Sequence, residues 1–154
     1  MREPFEHVVA AHGETVWRVC RGLLPQHDAE DAWSETFLAA LRAWDRFEGD
    51  RVRGWLVTIA HRKALDVLRA SARILIPEEG VPDSPVPAAG RDLDLWDALA
   101  RLPDRQRAAV VHHHLAGLPY DDVAALTGTT PTAARKAASD GVRRLRTLLV
   151  LEDA

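Results

Sequence analysis

The chain has 154 residues, of which 47% are hydrophobic, and a formal net charge of −3, the composition of a soluble globular protein with one ordinary domain or two small helical ones. Its single cysteine, Cys20, excludes an internal disulfide and a cysteine-based zinc site and fits a reducing compartment. The start, MREPFEHVVAAHGETVW, has no apolar signal core, and no stretch approaches the roughly 18 uninterrupted apolar residues of a membrane span, so neither export nor membrane insertion is indicated and the cytoplasm is expected.

From Phe5 to Leu24 the apolar positions Phe5, Val8, Val9, Val16, Val19, Leu23 and Leu24 predict a helix, loosened near Gly13 and ended by Pro25. Asp28 is placed to cap the next helix by accepting backbone N–H bonds, with Glu30 and Asp31 in its positive first turn. Trp33, Phe37, Leu38, Leu41, Trp44 and Phe47 then lay an apolar stripe along that helix. The segment EGDRVRG, 48–54, is too polar to continue it and predicts a turn. A further helix carries Val52, Trp55, Leu56, Ile59, Ala60 and Leu68 inward. The stretch from Asp28 to Arg69 is thus two amphipathic helices around a charged loop, and the rest of the chain is arranged around it.

Pro77, Pro82, Pro85 and Pro87, with Gly80 and Gly90, exclude regular structure over most of 71–92, which reads as an interdomain linker. Order resumes with LDLWDALARLP and a helix over Arg105 to Leu115, stopped at Gly117. LPYDDVAALTG gives a short helix broken at Gly128, and Thr130 can cap a last helix that starts at Pro131. Short helix, glycine turn, longer helix is the helix-turn-helix pattern. The fold class expected is all-α: two small helical domains, 1–70 and 93–154, on a flexible Pro-rich connector.

The acidic average conceals two basic patches. Between Arg42 and Arg69 there are seven basic residues against four acidic ones, and between Arg135 and Arg146 five against one. Phosphate neutralisation needs local positive charge, not a positive mean. Other chemistry is poorly served. His112, His113 and His114 are consecutive, so in a helix they point about 100° apart and do not converge on a metal. Cys20 lies in an apolar helix and reads as an inert core residue. No glycine-rich phosphate loop or catalytic triad motif is present, so no cofactor, no metal and no enzymatic activity are expected.

The segment DAEDAWSETFLAAL, 28–41, resembles the DAEDLVQETFL segment of the small two-domain bacterial sigma factors of the extracytoplasmic-function (ECF) group, and the resemblance covers nearly the whole chain from Val16 to Leu149. In that family this helix docks on the clamp helices of the largest subunit of RNA polymerase. The resemblance therefore implies a polymerase-facing set of Asp28, Asp31, Ser34 and Glu35, with Ser34 in place of the family's usual glutamine. RVRGWLVTIAHRKALDVLR resembles the segment for promoter melting and minus-ten recognition, implying single-strand contacts from Arg51, Arg53, Arg62, Lys63 and Arg69. Melting without ATP requires tighter binding of the single strand than of the duplex, which a basic groove and a pocket for an unstacked base provide. Trp55 falls on the apolar stripe and reads as core rather than base platform. Val52 and Arg62 stand where the family often has an aromatic residue and an asparagine.

The C-terminal part is similar to the family's fourth domain, whose helix-turn-helix reads the minus-thirty-five element. This implies DNA contacts from Thr130, Thr132, Arg135, Lys136, Ser139 and Arg143. Arg143, Arg144 and Arg146 read equally as phosphate clamps or as a solvated basic face. Asp140 stands where the family commonly has a basic residue, and Gly141 weakens the helix by about 1 kcal/mol relative to alanine. The linker, with Glu78, Glu79 and Asp83, reads either as a nucleic-acid mimic in the polymerase channel or as a tether.

The resemblance implies a transcription initiation factor, monomeric when free, that binds core RNA polymerase and promoter DNA and is held by an anti-sigma factor. The alternative is a sigma-like DNA-binding regulator that does not support initiation. A third reading, a metal-dependent hydrolase built on the histidines, runs against their geometry.

Overall fold

The computed structural model describes residues 3–75 and 94–153, and every regular element among them is a helix. Three helices form the N-terminal unit: α1 (Phe5–Leu23), α2 (Gln26–Ala43), extended by a 3-10 turn (Trp44–Arg46), and α3 (Val52–Leu75). The glycine at 13 does not loosen α1. Burial of Val8, Val16, Val19 and Cys20 along α1 outweighs a cost of about 1 kcal/mol for one glycine. The indole of Trp33 donates to the Gly13 carbonyl at 2.9 Å, which ties α2 to the middle of α1.

Asp28 does not cap α2. Pro25 is the residue before the helix, with ψ of 158°, and no side chain accepts from the first turn; Asp28 lies inside that turn, where only the helix dipole favours it. The stripe also needs correction. Leu38 and Leu41 are 49% and 52% exposed, whereas the inner face is Ala29, Ala32, Thr36, Phe37 and Ala40. At 100° per residue these five cluster on one side and Leu38 points away from it. The small side chains let α2 approach α1 and α3 closely, and Ala60 and Ala64 do the same on α3. The alanines of α2 and α3 thus have a packing use. Leu68, placed inward by spacing, is 39% exposed. Helix α3 continues past Arg69 to Leu75, because 70–75 contains no helix breaker before Pro77. The rest of the proline-rich connector, with Glu78, Glu79 and Asp83, lies outside the described residues.

Phe5, Phe37, Trp44, Phe47 and Trp55 close the open end of this unit. Phe47 and Trp55 stack at 4.2 Å, Trp44 lies over both at about 6 Å, and Phe5 meets Trp44 edge-on at 5.8 Å. Trp55 is therefore a packed residue, as the stripe indicates.

The C-terminal unit is α4 (Leu95–Ala100), α5 (Asp104–Val110), a π-helical turn (Val111–Leu115), α6 (Tyr120–Thr127) and α7 (Pro131–Asp153). Asp94 caps α4 by accepting from the Asp97 amide at 2.8 Å. Arg107 ends it: its guanidinium donates to the carbonyls of Leu99, Ala100 and Leu102 at 2.7–2.9 Å. The helix-turn-helix forms as expected. Gly128 takes φ of +69° at the end of α6, the left-handed position that favours glycine, and the Thr130 hydroxyl accepts from the Ala133 amide at 3.1 Å to start α7.

The two units are docked on each other and share one core. Helix α1 packs on the π-helical turn and on α4, and α3 packs on α6. Gly22 makes the first contact possible: a Cβ there would lie 2.7 Å from Val111 Cγ2. Arg21 lies over the Trp96 ring at 5.5 Å.

Candidate polymerase and DNA interfaces

The outward face of α2 collects Asp31, Ser34, Glu35 and Leu38, all exposed. Their spacing of three, four and seven residues puts them on one side of the helix, opposite Ala29 and Ala40. Asp28, half-buried, sits at the edge of the same face. An acidic rim around exposed leucines repels phosphate and offers apolar area, so it suits a protein surface better than DNA. The leucines are the feature that the sequence reading missed. The helical period places Leu38 opposite Ala29 and Ala40, although side-chain size alone favours an inward position.

Of the five basic residues implied for single-strand contact, Arg51, Arg53, Arg62 and Arg69 are exposed. Lys63 is half-buried and reaches across to Glu35 at 3.9 Å, linking α3 to the α2 face. Arg69 pairs with Asp66 at 3.6 Å within α3. Arg51 is committed elsewhere: its guanidinium is ion-paired with Asp122 of α6. Arg51, Trp55, His61 and Arg62 on one side and Leu118, Asp122 and Leu126 on the other line a cleft of about 530 Å³ between the two units.

On α7, Thr132, Arg135, Lys136, Ser139 and Arg143 are exposed, and their spacing of three, four, seven and eleven puts them on one face. Thr130 serves as the cap. The Arg135 guanidinium lies 5.1 Å over the Tyr120 ring. Asp140 receives Lys136 at 2.9 Å and Arg143 at 3.3 Å, and the hydrogen bond from Lys136 is the main reason its carboxyl stays below the usual carboxylate range. Two of the cations on this face are thus held by their own helix.

The three consecutive histidines diverge. His112 is fully buried, His113 stacks on Tyr120 at 3.8 Å with Nδ1 2.8 Å from the Leu118 carbonyl, and His114 is exposed. No group of three potential ligands comes together among the described residues. The buried ring has a partner that the sequence reading did not find: His61 Nδ1 lies 2.9 Å from His112 Nε2, 51 positions away. Cys20 is buried and its thiol is pushed up to about 12 by burial, which suppresses the reactive thiolate.

The sequence family Sigma-70 region 2 matches residues 8–74, and Sigma-70 region 4 matches residues 92–145. The chain belongs to the ECF group of sigma-70 factors. It is 34% identical to the RNA polymerase sigma factor CarQ of Myxococcus xanthus, over 96% of this chain and 90% of CarQ. It is 32% identical to the ECF RNA polymerase sigma factor SigE of Mycolicibacterium smegmatis, over 94% of this chain and 61% of SigE. Among solved structures, the sigma factor RpoE of Bartonella quintana, in complex with the anti-sigma factor NepR, superposes with a TM-score of 0.78 at 28% identity, covering 94% of this chain and 96% of RpoE. CnrH, in complex with the cytosolic domain of CnrY, gives 0.68 at 26% identity, covering 96% and 88%. Region 2 of this sigma factor is therefore α1–α3, and region 4 is α4–α6 with most of α7. No helix among the described residues is long and apolar enough to cross a membrane.

Proposed function

We propose that this sigma factor binds core RNA polymerase through the outward face of α2, directs it to promoters, and opens the DNA there without enzymatic activity of its own. The observation that carries the reading is the α2 face: Asp31, Ser34 and Glu35 around the exposed Leu38, with Leu41 beside them. Buried apolar side chains would stabilise the fold; exposed ones in an acidic rim serve a partner. In the proposed assignment, residues 1–70 dock on polymerase and melt DNA, 71–92 connect, and 93–154 read the minus-thirty-five element.

Arg51, Arg53, Arg62, Lys63 and Arg69 supply the positive charge along which a separated strand runs. Thr132, Arg135, Lys136, Ser139 and Arg143 face the major groove, with the Thr130 cap at the helix start. The cytoplasm is the compartment of such a factor, and an anti-sigma factor that covers the α2 face is its natural inhibitor; RpoE is solved in complex with an anti-sigma factor and CnrH with the cytosolic domain of CnrY.

The test is reconstitution. The purified chain with core polymerase yields promoter-specific transcripts, and the double reversal Asp31→Lys with Glu35→Lys abolishes association with core. A pull-down in which the reversed protein still binds core polymerase would overturn the docking assignment. Tight duplex binding by the chain alone, with no transcripts in the presence of core, would favour the non-initiating regulator.

A further inference from the structure

We infer that the docking of the C-terminal unit on the N-terminal one is a closed state of this sigma factor, latched by the buried imidazole pair His61–His112 and released by protons. The inference rests on the proposed function in one respect: the closed state occupies groups assigned there to DNA. Arg51 is ion-paired with Asp122 of α6, and Arg62 lines the cleft whose other wall is α6, so in the closed state a strand competes with Asp122 for Arg51 and shares the approach to Arg62 with α6, although both side chains keep solvent contact.

The latch follows from the placement of the two rings. His61 belongs to α3 and is 7% exposed; His112 belongs to the π-helical turn and is fully buried. They meet across the junction, Nδ1 to Nε2, at 2.9 Å, with ring centroids 4.9 Å apart. A contact between two ring nitrogens requires one donor and one acceptor, so at least one imidazole is neutral. The Leu126 backbone on α6 favours the protonated form of His61 by hydrogen bonding. If the ring proton of His61 goes there, His112 Nε2–H donates to His61 Nδ1, and His112 Nδ1 is left bare. That atom is buried without a hydrogen-bond partner among the described residues.

Among the described residues no carboxylate favours a charge at this pair. On α3 the nearby charge is Arg62, which disfavours a proton on His61, and Arg51 stands just before the helix start. Of the two acids on α6, Asp121 is exposed and Asp122 lines the cleft, where it is already paired with Arg51. The π-helical turn adds His113, stacked on Tyr120, and α1 meets this turn through Gly22 against Val111. Burial lowers the proton affinity of both rings, that of His112 to about 3, with His61 as the second cause.

The sign follows. The closed state binds fewer protons than the open one, in which both rings are hydrated and titrate near 6.5. Docking is fully retained above that value and is lost as pH falls below it, by about tenfold in the closed-to-open ratio per pH unit for each proton taken up. The neutral pair is a conditional contact: it holds the units together at neutral pH and opposes them when charged.

The test uses the full chain, with donor and acceptor dyes on Arg46→Cys and Thr147→Cys; buried Cys20 stays unlabelled. Transfer efficiency is read from pH 7.5 to 5.5 with helicity monitored in parallel. The expected result is a fall in transfer below pH 6.5 at constant helicity, and a flat profile in the double variant His61→Leu with His112→Leu. Unchanged transfer in the parent chain, or an undiminished pH response in the double variant, would overturn the latch. Should the double variant not fold, Asp122→Asn supplies the second measurement: loss of the rim ion pair lowers transfer at every pH but leaves the pH dependence in place, and its disappearance would assign the response to the ion pair instead. These readouts need no polymerase. If Asp122→Asn opens the molecule without increasing single-strand or core polymerase binding at pH 7.5, the latch stands and the assignment of Arg51 and Arg62 fails.

Discussion

Gly141 permits a quantitative test of how α5 and α7 are held together. A helical glycine on an open surface is improved by alanine, by about 1 kcal/mol. Here the position is buried: a Cβ would lie 2.6 Å from Val110 Cγ2, 3.3 Å from the Gln106 carbonyl oxygen and 3.4 Å from Gln106 Cβ. Val110 is itself packed, and Gln106 O is backbone, so the methyl is accommodated only by moving the helices apart. Overpacking of this kind costs about 1–3 kcal/mol. Packing therefore wins, and Gly141→Ala should destabilise the C-terminal unit by about 1 kcal/mol net, lowering its unfolding midpoint by roughly 4–8 °C for a domain of this size. The assay is thermal and urea unfolding of the full chain by circular dichroism, for Gly141→Ala, Val110→Ala and the double variant. In the double variant the largest clash is gone, and the alanine at 141 should be neutral or favourable relative to Val110→Ala alone. A midpoint raised by the single Gly141→Ala change would refute the close approach.

The α2 leucines separate stability from binding. Leu38→Ala should change stability by under about 1 kcal/mol, while Leu56→Ala, at a fully buried position, should cost about 2–5 kcal/mol; only the former should weaken core polymerase binding at unchanged unfolding midpoint. Asp140→Ala should release Lys136 and Arg143 and so tighten duplex binding, with a steeper dependence of log affinity on log salt; an unchanged salt slope would show that those cations do not meet phosphate. Cys20, whose thiol is pushed up to about 12, should resist alkylation at pH 8 in the native chain and react at the rate of unfolding in urea; immediate labelling would place it at the surface.

Much of the architecture is local, and so legible from the residues. Gly128, Thr130 and Pro131 specify the turn and helix start of the helix-turn-helix through backbone preferences that need no distant partner. The exposed cationic face of α7 follows from the helical period alone. Asp31, Ser34 and Glu35 were likewise readable as one outward face. Leu38 and Leu41 stand outward against the expectation from side-chain size, because a close helix crossing selects small residues for the inner face, here Ala29, Ala32 and Ala40. The chemistry of Asp28 suits a cap, but the helix starts earlier, after Pro25.

The sequence by itself determined that this chain is all-helical, that it carries a helix-turn-helix, and which polar residues stand outward on α2 and α7, because periodicity, caps and turns act over a few residues. Only the tertiary structure decided what meets across the chain: Arg51 with Asp122, Gly22 against Val111, Gly141 against Val110, and His61 with His112. Those contacts join residues 31 to 89 positions apart. No local rule encodes them, because they arise from how amphipathic helices bury their apolar surface against distant ones, within the C-terminal unit for Gly141 and Val110 and between the two units for the other three pairs.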